Sequence, residues 1–254
     1  MGAYPELIGK KAIVTGGTAG IGKSTALCLA QEGVDVVVVG RDKQRGQATE
    51  AMLREWGEKS FFSCCDVKSP EEVKATCDET LRRFGKVDIL INCAGGFSRF
   101  AKVHEYNVED WDNLLNTNLR SAFLFTRLLI PAMVERKWGR IINISSSVAL
   151  GAPYLTSALY VAAKAGMLGF TRHVAAEVAA YGVTVNSVIP GLTLSERIAR
   201  VMTPEMIAER EKIIPLGRLS APEEQASAAV FLCSDKASYI TGATINTSGG
   251  LTWL

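Results

Sequence analysis

The sequence predicts a doubly wound α/β fold, in which a parallel sheet of about seven strands is covered by helices on both faces. Some short segments are almost entirely apolar, as in Val36–Val39 and Ile141–Ile144. Strands of this kind belong to sheets that are buried on both faces, and such sheets are parallel. Helical patterns alternate with these strands along the chain, and no Pro/Gly/Ser-rich linker or charge run divides it. We therefore expect a single domain over residues 1–254.

Each predicted strand is a short apolar run, and each predicted helix is a longer stretch with helical spacing of its apolar residues. In chain order, we expect strands near Lys11–Thr15, Val34–Val39, Ser60–Cys65, Val87–Ile91, Arg140–Ser145, Val183–Val188 and Thr244–Asn246. We expect helices near Ile21–Glu32, Asp42–Trp56, Pro70–Phe84, Val108–Arg136, Ser157–Tyr181, Ser195–Lys212 and Pro222–Leu232.

The composition limits the classes of function. A net charge of +2 and a pI near 8.2 are too mild to indicate nucleic acid or an anionic membrane as the main partner, so we expect a small-molecule ligand. No apolar stretch approaches the ~18 residues of a membrane span, and the N-terminus lacks a signal-peptide pattern, so we expect a cytoplasmic protein. The six cysteines have no metal-ligand spacing, so we expect mostly buried thiols and no metal site.

A glycine-rich segment follows the first predicted strand. Its spacing, Gly16-x-x-x-Gly20-x-Gly22, lies between a strand and a helix. Glycines permit a tight turn and a close approach of the backbone, and the helix N-terminus favours a pyrophosphate. A glycine-rich turn without a ligand is the alternative for this motif alone. In the predicted fold, ligands bind beyond the carboxyl ends of the strands, where this segment lies.

Tyr160 and Lys164 are four residues apart in an alanine-rich helical stretch and therefore share one helical face. A nearby ammonium lowers the pKa of a phenol from its reference value of roughly 10 by roughly one to three units. The spacing therefore predicts an activated tyrosine, although such pairs also occur by chance.

Six motifs together resemble the short-chain dehydrogenase/reductase family over essentially the whole chain, and most closely its 3-oxoacyl-carrier-protein-reductase-like members. They are Thr15-Gly-x-x-x-Gly-x-Gly22, Asn92-x-Ala94-Gly95, Asn118, the serines at 145–147, Tyr160-x-x-x-Lys164 and Pro190-Gly191. The resemblance implies a Rossmann-type fold and an oxidoreductase that interconverts a carbonyl and a secondary alcohol by hydride transfer. It also implies a homotetramer in which the helices Val108–Arg136 and Ser157–Tyr181 pack across one dimer axis.

The resemblance also implies the catalytic roles. Tyr160 would be the acid in reduction and the base in oxidation, and Lys164 would lower its pKa and bind the nicotinamide ribose. Asn118 would hold a water that links Lys164 to solvent. A serine would donate to the substrate oxygen: counting along the strand from Asn143 selects Ser146, whereas counting back from Tyr160 selects Ser147.

The remaining cofactor contacts carried over from the family lie at strand ends. Asp66 and Val67 match positions that contact adenine, and Cys93 replaces the second of two asparagines that usually precede Ala-Gly. We expect Cys93 to be a buried structural thiol. The full set of expected cofactor-binding residues is Gly16, Thr18, Gly20, Ile21, Gly22, Arg41, Asp66, Val67, Asn92, Ala94, Gly95, Tyr160, Lys164, Pro190, Gly191 and Thr193.

The end of the second strand predicts NADP(H) as the cofactor. Gly40 stands where an NAD-preferring site places a carboxylate, and Arg41 follows it as a candidate partner for a 2′-phosphate. We expect Asp42 to be an acid at a helix N-terminus. The alternatives are an NAD-dependent sugar or alcohol dehydrogenase and a catalytically silent dinucleotide-binding regulator or scaffold.

Residues 192–221 are the segment least fixed by the family pattern, and we expect them to form a lid over the substrate. Arg99, Arg197 and Arg200 lie in or near the loops that would border this substrate. They are therefore candidates for binding an anionic group, although exposed arginines are common. The sequence does not select the substrate itself.

Overall fold

The computed structural model describes residues 3–96, 99–151 and 156–253, and for Arg197 only the backbone. In these residues, seven parallel strands form one sheet in the order β3-β2-β1-β4-β5-β6-β7. The strands are β1 Lys11–Thr15, β2 Asp35–Gly40, β3 Phe61–Cys64, β4 Ile89–Asn92, β5 Gly139–Ile144, β6 Val183–Pro190 and β7 Thr244–Thr247. The predicted doubly wound fold is confirmed, with strand boundaries that differ by one to two residues at several ends.

Helices cover both faces of this sheet. They are α1 Gly20–Gln31, α2 Lys43–Arg54, α3 Pro70–Phe84, α4 Val108–Leu115, α5 Ser121–Glu135, α6 Ala158–Val178, α7 Glu196–Val201, α8 Pro204–Glu211 and α9 Pro222–Cys233. Among the described residues, no helix combines the length and the apolar character needed to cross a bilayer.

The alternation of side chains along β2 shows why its run of valines is buried. Val36 and Val38 pack in one core cluster with α1 and α9, whereas Val37 and Val39 pack in a second cluster with α3, α5 and α6. All four are fully buried. Because successive strand residues point to opposite faces, a strand covered on both sides needs an apolar residue at every position.

The predicted helix Val108–Arg136 is interrupted, which corrects the sequence prediction. A π-turn, Asn116–Arg120, lies between α4 and α5, and the backbone N–H of Ser121 bonds to the carbonyl of Asn116, five residues back. The hydroxyl of Ser121 donates to the carbonyl of Thr117 at 2.6 Å. One extra residue is thereby accommodated in the helix without a break in its hydrogen bonding.

The predicted helix Ser195–Lys212 is also wrong as a single element. Met202 ends α7 in an extended conformation, and Thr203 then caps α8 by accepting a hydrogen bond from the N–H of Met206. Pro204 occupies the first position of α8, where its missing N–H has no consequence. The segment predicted as a lid therefore contains two short helices with a corner between them.

The six cysteines are all free. Cys65, Cys77 and Cys233 are buried and Cys28 and Cys93 are partly buried, but Cys64 at the end of β3 is exposed. The expectation of mostly buried thiols therefore has Cys64 as its exception.

Candidate active site

A cleft of about 860 Å³ lies beyond the carboxyl ends of the strands around the β1–β4 boundary, where the strand order reverses. This is the place where doubly wound sheets bind ligands, and the volume is typical of a small-molecule site. The predicted site residues that line it are Gly16, Gly20, Ile21, Gly22, Gly95, Ser146, Tyr160, Lys164, Pro190, Gly191 and Thr193.

The glycine-rich loop has the geometry of a phosphate cradle. Gly16 and Gly20 adopt φ values of 66° and 51°, and a Cβ on Gly22 would lie 2.4 Å from the carbonyl oxygen of Gly16. The N-cap of α1 is Ala19, which has no side-chain acceptor for the first amides of the helix. These amides therefore open into the cleft as donors for an anion. The residues present fit the pyrophosphate of a dinucleotide.

Thr15 joins this loop to the end of β4. Its Oγ1 accepts hydrogen bonds from the backbone N–H groups of Cys93 and Ala94, both at 3.0 Å. A Cβ on Gly16 would lie 3.0 Å from the Cα of Ala94, so the two strand ends meet without room for a side chain. The close approach of β1 and β4 holds Cys93 and Gly95 on the cleft wall.

The side chain of Asn92 lies between strands, away from the lining of the cleft. It is buried, and its amide donates to Asn143 Oδ1 at 2.8 Å and to Thr126 Oγ1 at 3.3 Å. Since Asn92 and Asn143 are register partners on β4 and β5, this contact ties the two strands together. Its predicted role at the cofactor is therefore limited to the position of its backbone.

Asn118 lies in the π-turn and is fully buried. Its Oδ1 accepts from the N–H of Gly96 at 2.8 Å, and its Nδ2 donates to the carbonyls of Gly96 at 2.9 Å and Leu114 at 3.0 Å. A Cβ on Gly95 would lie 2.4 Å from Asn118 Oδ1 and 3.2 Å from Lys164 Nζ. Asn118 and Lys164 thus converge on the same glycine, and the carboxamide fixes the loop after β4.

Tyr160 and Lys164 lie in the first two turns of α6, on the helical face predicted from their spacing. The Nζ of Lys164 donates to the carbonyl of Ile144 at 2.7 Å and lies 5.7 Å from the centroid of the Tyr160 ring. Burial lowers the pKa of Lys164 from 10.5 to about 8, although the neighbouring Cys93 opposes this shift. Lys164 therefore keeps its charge at neutral pH at the bottom of the cleft.

Cys93 is the residue next to this ammonium. Burial raises the pKa of its thiol to about 11, and the charge of Lys164 lowers it only in part. The thiol is therefore protonated at neutral pH, which agrees with the expectation of an unreactive structural cysteine.

The three serines after β5 have different environments. Ser145 donates to the carbonyl of Lys164 at 2.8 Å, Ser146 lines the cleft, and Ser147 is fully buried. Strand β5 ends at Ile144, and Ser146 already caps a short turn by accepting from Val148 N. Ser146 therefore lines the same cleft as Tyr160, whereas Ser147 is not among the lining residues.

The end of β2 has little space for a side chain at position 40. A Cβ on Gly40 would lie 2.8 Å from Thr18 Cγ2 and 3.0 Å from its Oγ1. Asp42 caps α2, as expected, by accepting from the backbone N–H of Arg45 at 3.0 Å and from its Nε at 2.6 Å. Arg41 is exposed and lies 4.0 Å from Asp66. Thr18 therefore limits the size of the residue that fits at position 40, at the end of β2.

Two further predicted residues lie beside the cleft without lining it. Asp66 accepts from the N–H of Lys68 at 3.0 Å, and its own N–H donates to Glu72 at 2.8 Å. Val67 is buried in the core cluster that contains Val37. Their contact with an adenine ring stays a prediction.

The outer wall of the cleft comes from the predicted lid. Its apolar lining residues are Leu192, Ile198, Val201, Met202, Met206 and Leu219. Arg200 and Arg210 also line the cleft, whereas the side chain of Arg197 lies outside the described residues. Arg99 lines it too, but its guanidinium bonds to Asp110 at 2.7 Å and to the carbonyl of Glu105 at 2.9 Å.

Sequence reasoning missed several lining residues. The charged residues around Arg45 predict a solvated face of α2. Its position three residues after the N-cap Asp42 is the one sequence signal that places Arg45 near the start of this helix. Thr156 precedes the N-cap Ser157 of α6, so helical spacing gives no signal for it. Phe100 and Val148 also line the cleft and were not among the predicted residues.

Comparisons with known proteins find related chains that match almost the whole length of this one. Residues 16–252 match a family model described as enoyl-(acyl carrier protein) reductase. The chain is 38% identical to a 3-oxoacyl-[acyl-carrier-protein] reductase of Staphylococcus aureus over 95% of this chain and 98% of that protein. It is 36% identical to the protein of the same name from Aquifex aeolicus, over 97% of this chain and 98% of that protein.

A solved structure is also similar. It is described as a short chain dehydrogenase/reductase family protein, with a TM-score of 0.86 and 36% sequence identity. The match covers 96% of this chain and 98% of that one.

Proposed function

Because the chain belongs to the short-chain dehydrogenase/reductase family, whose members act on carbonyl and alcohol groups, we propose that it is an NADPH-dependent reductase of 3-oxoacyl thioesters. The single observation that carries this proposal is the wall formed by Ser146, Tyr160 and Lys164. These side chains and the glycine-rich loop line the same cleft. The cleft can therefore hold a dinucleotide by its pyrophosphate at the glycine-rich loop and a carbonyl substrate at the proton donor Tyr160.

The nicotinamide, when bound, supplies the hydride. The residues of the chain handle the oxygen and the proton. The hydroxyl of Ser146 donates a hydrogen bond to the carbonyl oxygen, and the phenol of Tyr160 gives its proton to the oxygen as the alcohol forms. The Lys164 ammonium stabilises the phenolate that is left behind. Asn118 fixes the position of Gly96, which lines the site, through two hydrogen bonds to its backbone. Its role in holding a water stays a prediction.

Four residues around the end of β2 support NADPH over NADH. A side chain at position 40 would crowd Thr18, and Asp42 caps α2. Arg41 extends into solvent beside this position, and Arg45 lines the cleft. A site with arginines and no free carboxylate favours a ribose that carries a 2′-phosphate.

The lid and the comparisons support a 3-oxoacyl thioester as the substrate. Apolar side chains such as Met202 and Met206 suit an acyl chain, and Arg200 on the same lid is exposed at the cleft. An arginine there suits the phosphate of a phosphopantetheine arm, on which acyl carrier proteins hold their thioesters. The relatives named above are reductases of such thioesters by name.

The direct test measures NADPH oxidation by the purified protein with an acetoacetyl thioester. We expect turnover, with a higher kcat/KM for NADPH than for NADH. The Tyr160→Phe variant should lose about 100-fold or more in kcat, since it removes the acid–base group, while NADPH binding stays within about twofold. Tyr181→Phe, at the far end of the same helical region, is the matched control and should retain turnover.

Substantial reduction by Tyr160→Phe would refute the role of Tyr160. Binding of NADPH by the unmodified protein, without turnover over a panel of thioester, sugar and small ketone carbonyls, would refute the proposed activity and favour a regulator or scaffold. A preference for NADH would refute the cofactor assignment alone.

A further inference from the structure

Thr156 lines the cleft and carries a buried hydroxyl. Within the described part of the chain, its Oγ1 is buried and has no hydrogen-bond partner, yet the residue lines the cleft with Tyr160 and Ser146. A buried hydroxyl without a partner is unfavourable by roughly 1–3 kcal/mol. Such a group on a cleft wall is satisfied when a ligand supplies the acceptor.

The neighbouring serine hydroxyls already have partners. Ser145 donates to the carbonyl of Lys164, and Ser146 accepts from the N–H of Val148. Ser157 also lacks a partner, but it is fully buried and is not part of the cleft lining. Thr156 is therefore the polar group on this wall that a second oxygen of a substrate can reach.

A 3-oxoacyl thioester has such an oxygen. Its thioester carbonyl is separated from the reacting carbonyl by one methylene, so both oxygens are presented to the same wall. We propose that Thr156 binds the substrate by donating its hydroxyl hydrogen to the thioester carbonyl oxygen while Tyr160 and Ser146 hold the keto oxygen. This inference rests on the proposed function, and it makes Thr156 the residue that distinguishes a 1,3-dicarbonyl substrate from a simple ketone.

The distinction follows from how hydrogen-bonding sites select their ligands. A simple ketone leaves the Thr156 hydroxyl buried and unpaired when it fills the cleft, so the site discriminates against it. A neutral hydrogen bond contributes about 0.5–1.5 kcal/mol, which corresponds to a factor of up to about tenfold in kcat/KM.

The experiment compares two substrates and two substitutions. The substrates are acetoacetyl-N-acetylcysteamine and a matched ketone in which a methylene replaces the thioester carbonyl, both assayed with NADPH. Thr156→Val keeps the shape and removes the hydroxyl, and we expect it to lower kcat/KM for the thioester about tenfold, mainly through KM, with the ketone changed by less than about twofold. Thr156→Ser keeps the hydroxyl and should retain the selectivity of the unmodified protein.

Ser157→Ala is the matched control, since it removes a neighbouring unpartnered hydroxyl that does not line the cleft, and it should not change the ratio between the two substrates. An equal effect of Thr156→Val on both substrates, or none on either, would overturn the inference. If Thr156→Val does not fold, Thr156→Ala tests the same ratio. Absence of turnover by the unmodified protein would refute the proposed function instead.

Discussion

Lys164 combines a charge with nearly complete burial. Its ammonium has one described carbonyl acceptor, that of Ile144, and Cys93 lies beside it. Placing a charged group in such surroundings destabilises the folded state, which is why its pKa falls to about 8. A buried charge that destabilises the fold is typical of a residue that serves a ligand.

The depressed pKa of Lys164 makes a prediction for stability. Between pH 8 and 10.5 the unfolded chain holds the proton that the folded chain has released. The free energy of unfolding therefore rises with pH across this window, by up to about 3 kcal/mol from this group. We expect urea denaturation of the cofactor-free protein at pH 7.5 and pH 10 to show this rise relative to Lys164→Met.

The same comparison with Lys59→Met, an exposed lysine, is the control. The pairs are best measured in a Cys93→Ala background, because ionisation of the unfolded Cys93 thiol acts in the opposite direction. Parallel pH profiles for Lys164→Met and the protein with Lys164 would contradict the prediction.

At this scale the sequence predicted part of the site. Spacing alone put Tyr160 and Lys164 on one helical face, because helical geometry is local. Which of Ser146 and Ser147 lines the cleft did not follow from the sequence, since β5 ends at Ile144 and the strand alternation no longer applies beyond it. Thr156 and Arg45 were missed because only the tertiary fold brings them to the cleft.

The π-turn Asn116–Arg120 determines where the Asn118 side chain lies. Helical periodicity predicted one helix through this segment, and a single extra residue changes that periodicity too little to be noticed in the sequence. The consequence is large at one position: the Asn118 carboxamide reaches the loop after β4 and bonds both backbone groups of Gly96.

Removal of this side chain should destabilise the protein. Asn118→Ala loses three hydrogen bonds and leaves the backbone groups of Gly96 unpaired, so we expect the free energy of unfolding to fall by about 2–3 kcal/mol. Turnover should fall as well, because Gly95 and Gly96 line the cleft. Denaturant unfolding with Asn116→Ala as control, in the same π-turn, would refute this if both variants lost the same stability.

The corner between α7 and α8 had a visible signal in the sequence. Thr203-Pro204 is a helix cap followed by a favoured first residue, yet the apolar spacing on either side suggested one helix. The local start signal prevailed over the periodicity, and Met202, at the corner, faces the cleft as a result.

The overall fold follows from the sequence more directly than the details of the site. Runs such as Val36–Val39 determine a sheet covered on both faces, and the chain order of strands and helices then leaves few alternatives. What this pattern leaves open is how the outer surface is used. The residues along α4 and α5 include exposed apolar side chains, among them Val108 at 74%, Trp111 at 47% and Phe123 at 45% exposure.

These side chains support the predicted homotetramer, in which this helical surface packs across a dimer axis. We expect sedimentation to give the mass of four chains, and Phe123→Glu to reduce it to that of two, since a buried unpaired charge opposes association. Trp56→Glu, at the end of α2, is the control and should leave the mass unchanged. A monomeric mass for the unmodified protein would contradict the prediction.

The contact between Thr18 and Gly40 also constrains how this chain could change its cofactor over evolutionary time. The Cβ of any side chain introduced at position 40 would lie 2.8 Å from Thr18 Cγ2, so that substitution alone produces a crowded site. Shortening Thr18 first removes the obstacle. The two substitutions are therefore expected to depend on each other: an acidic residue at position 40 fits better after Thr18 has been shortened.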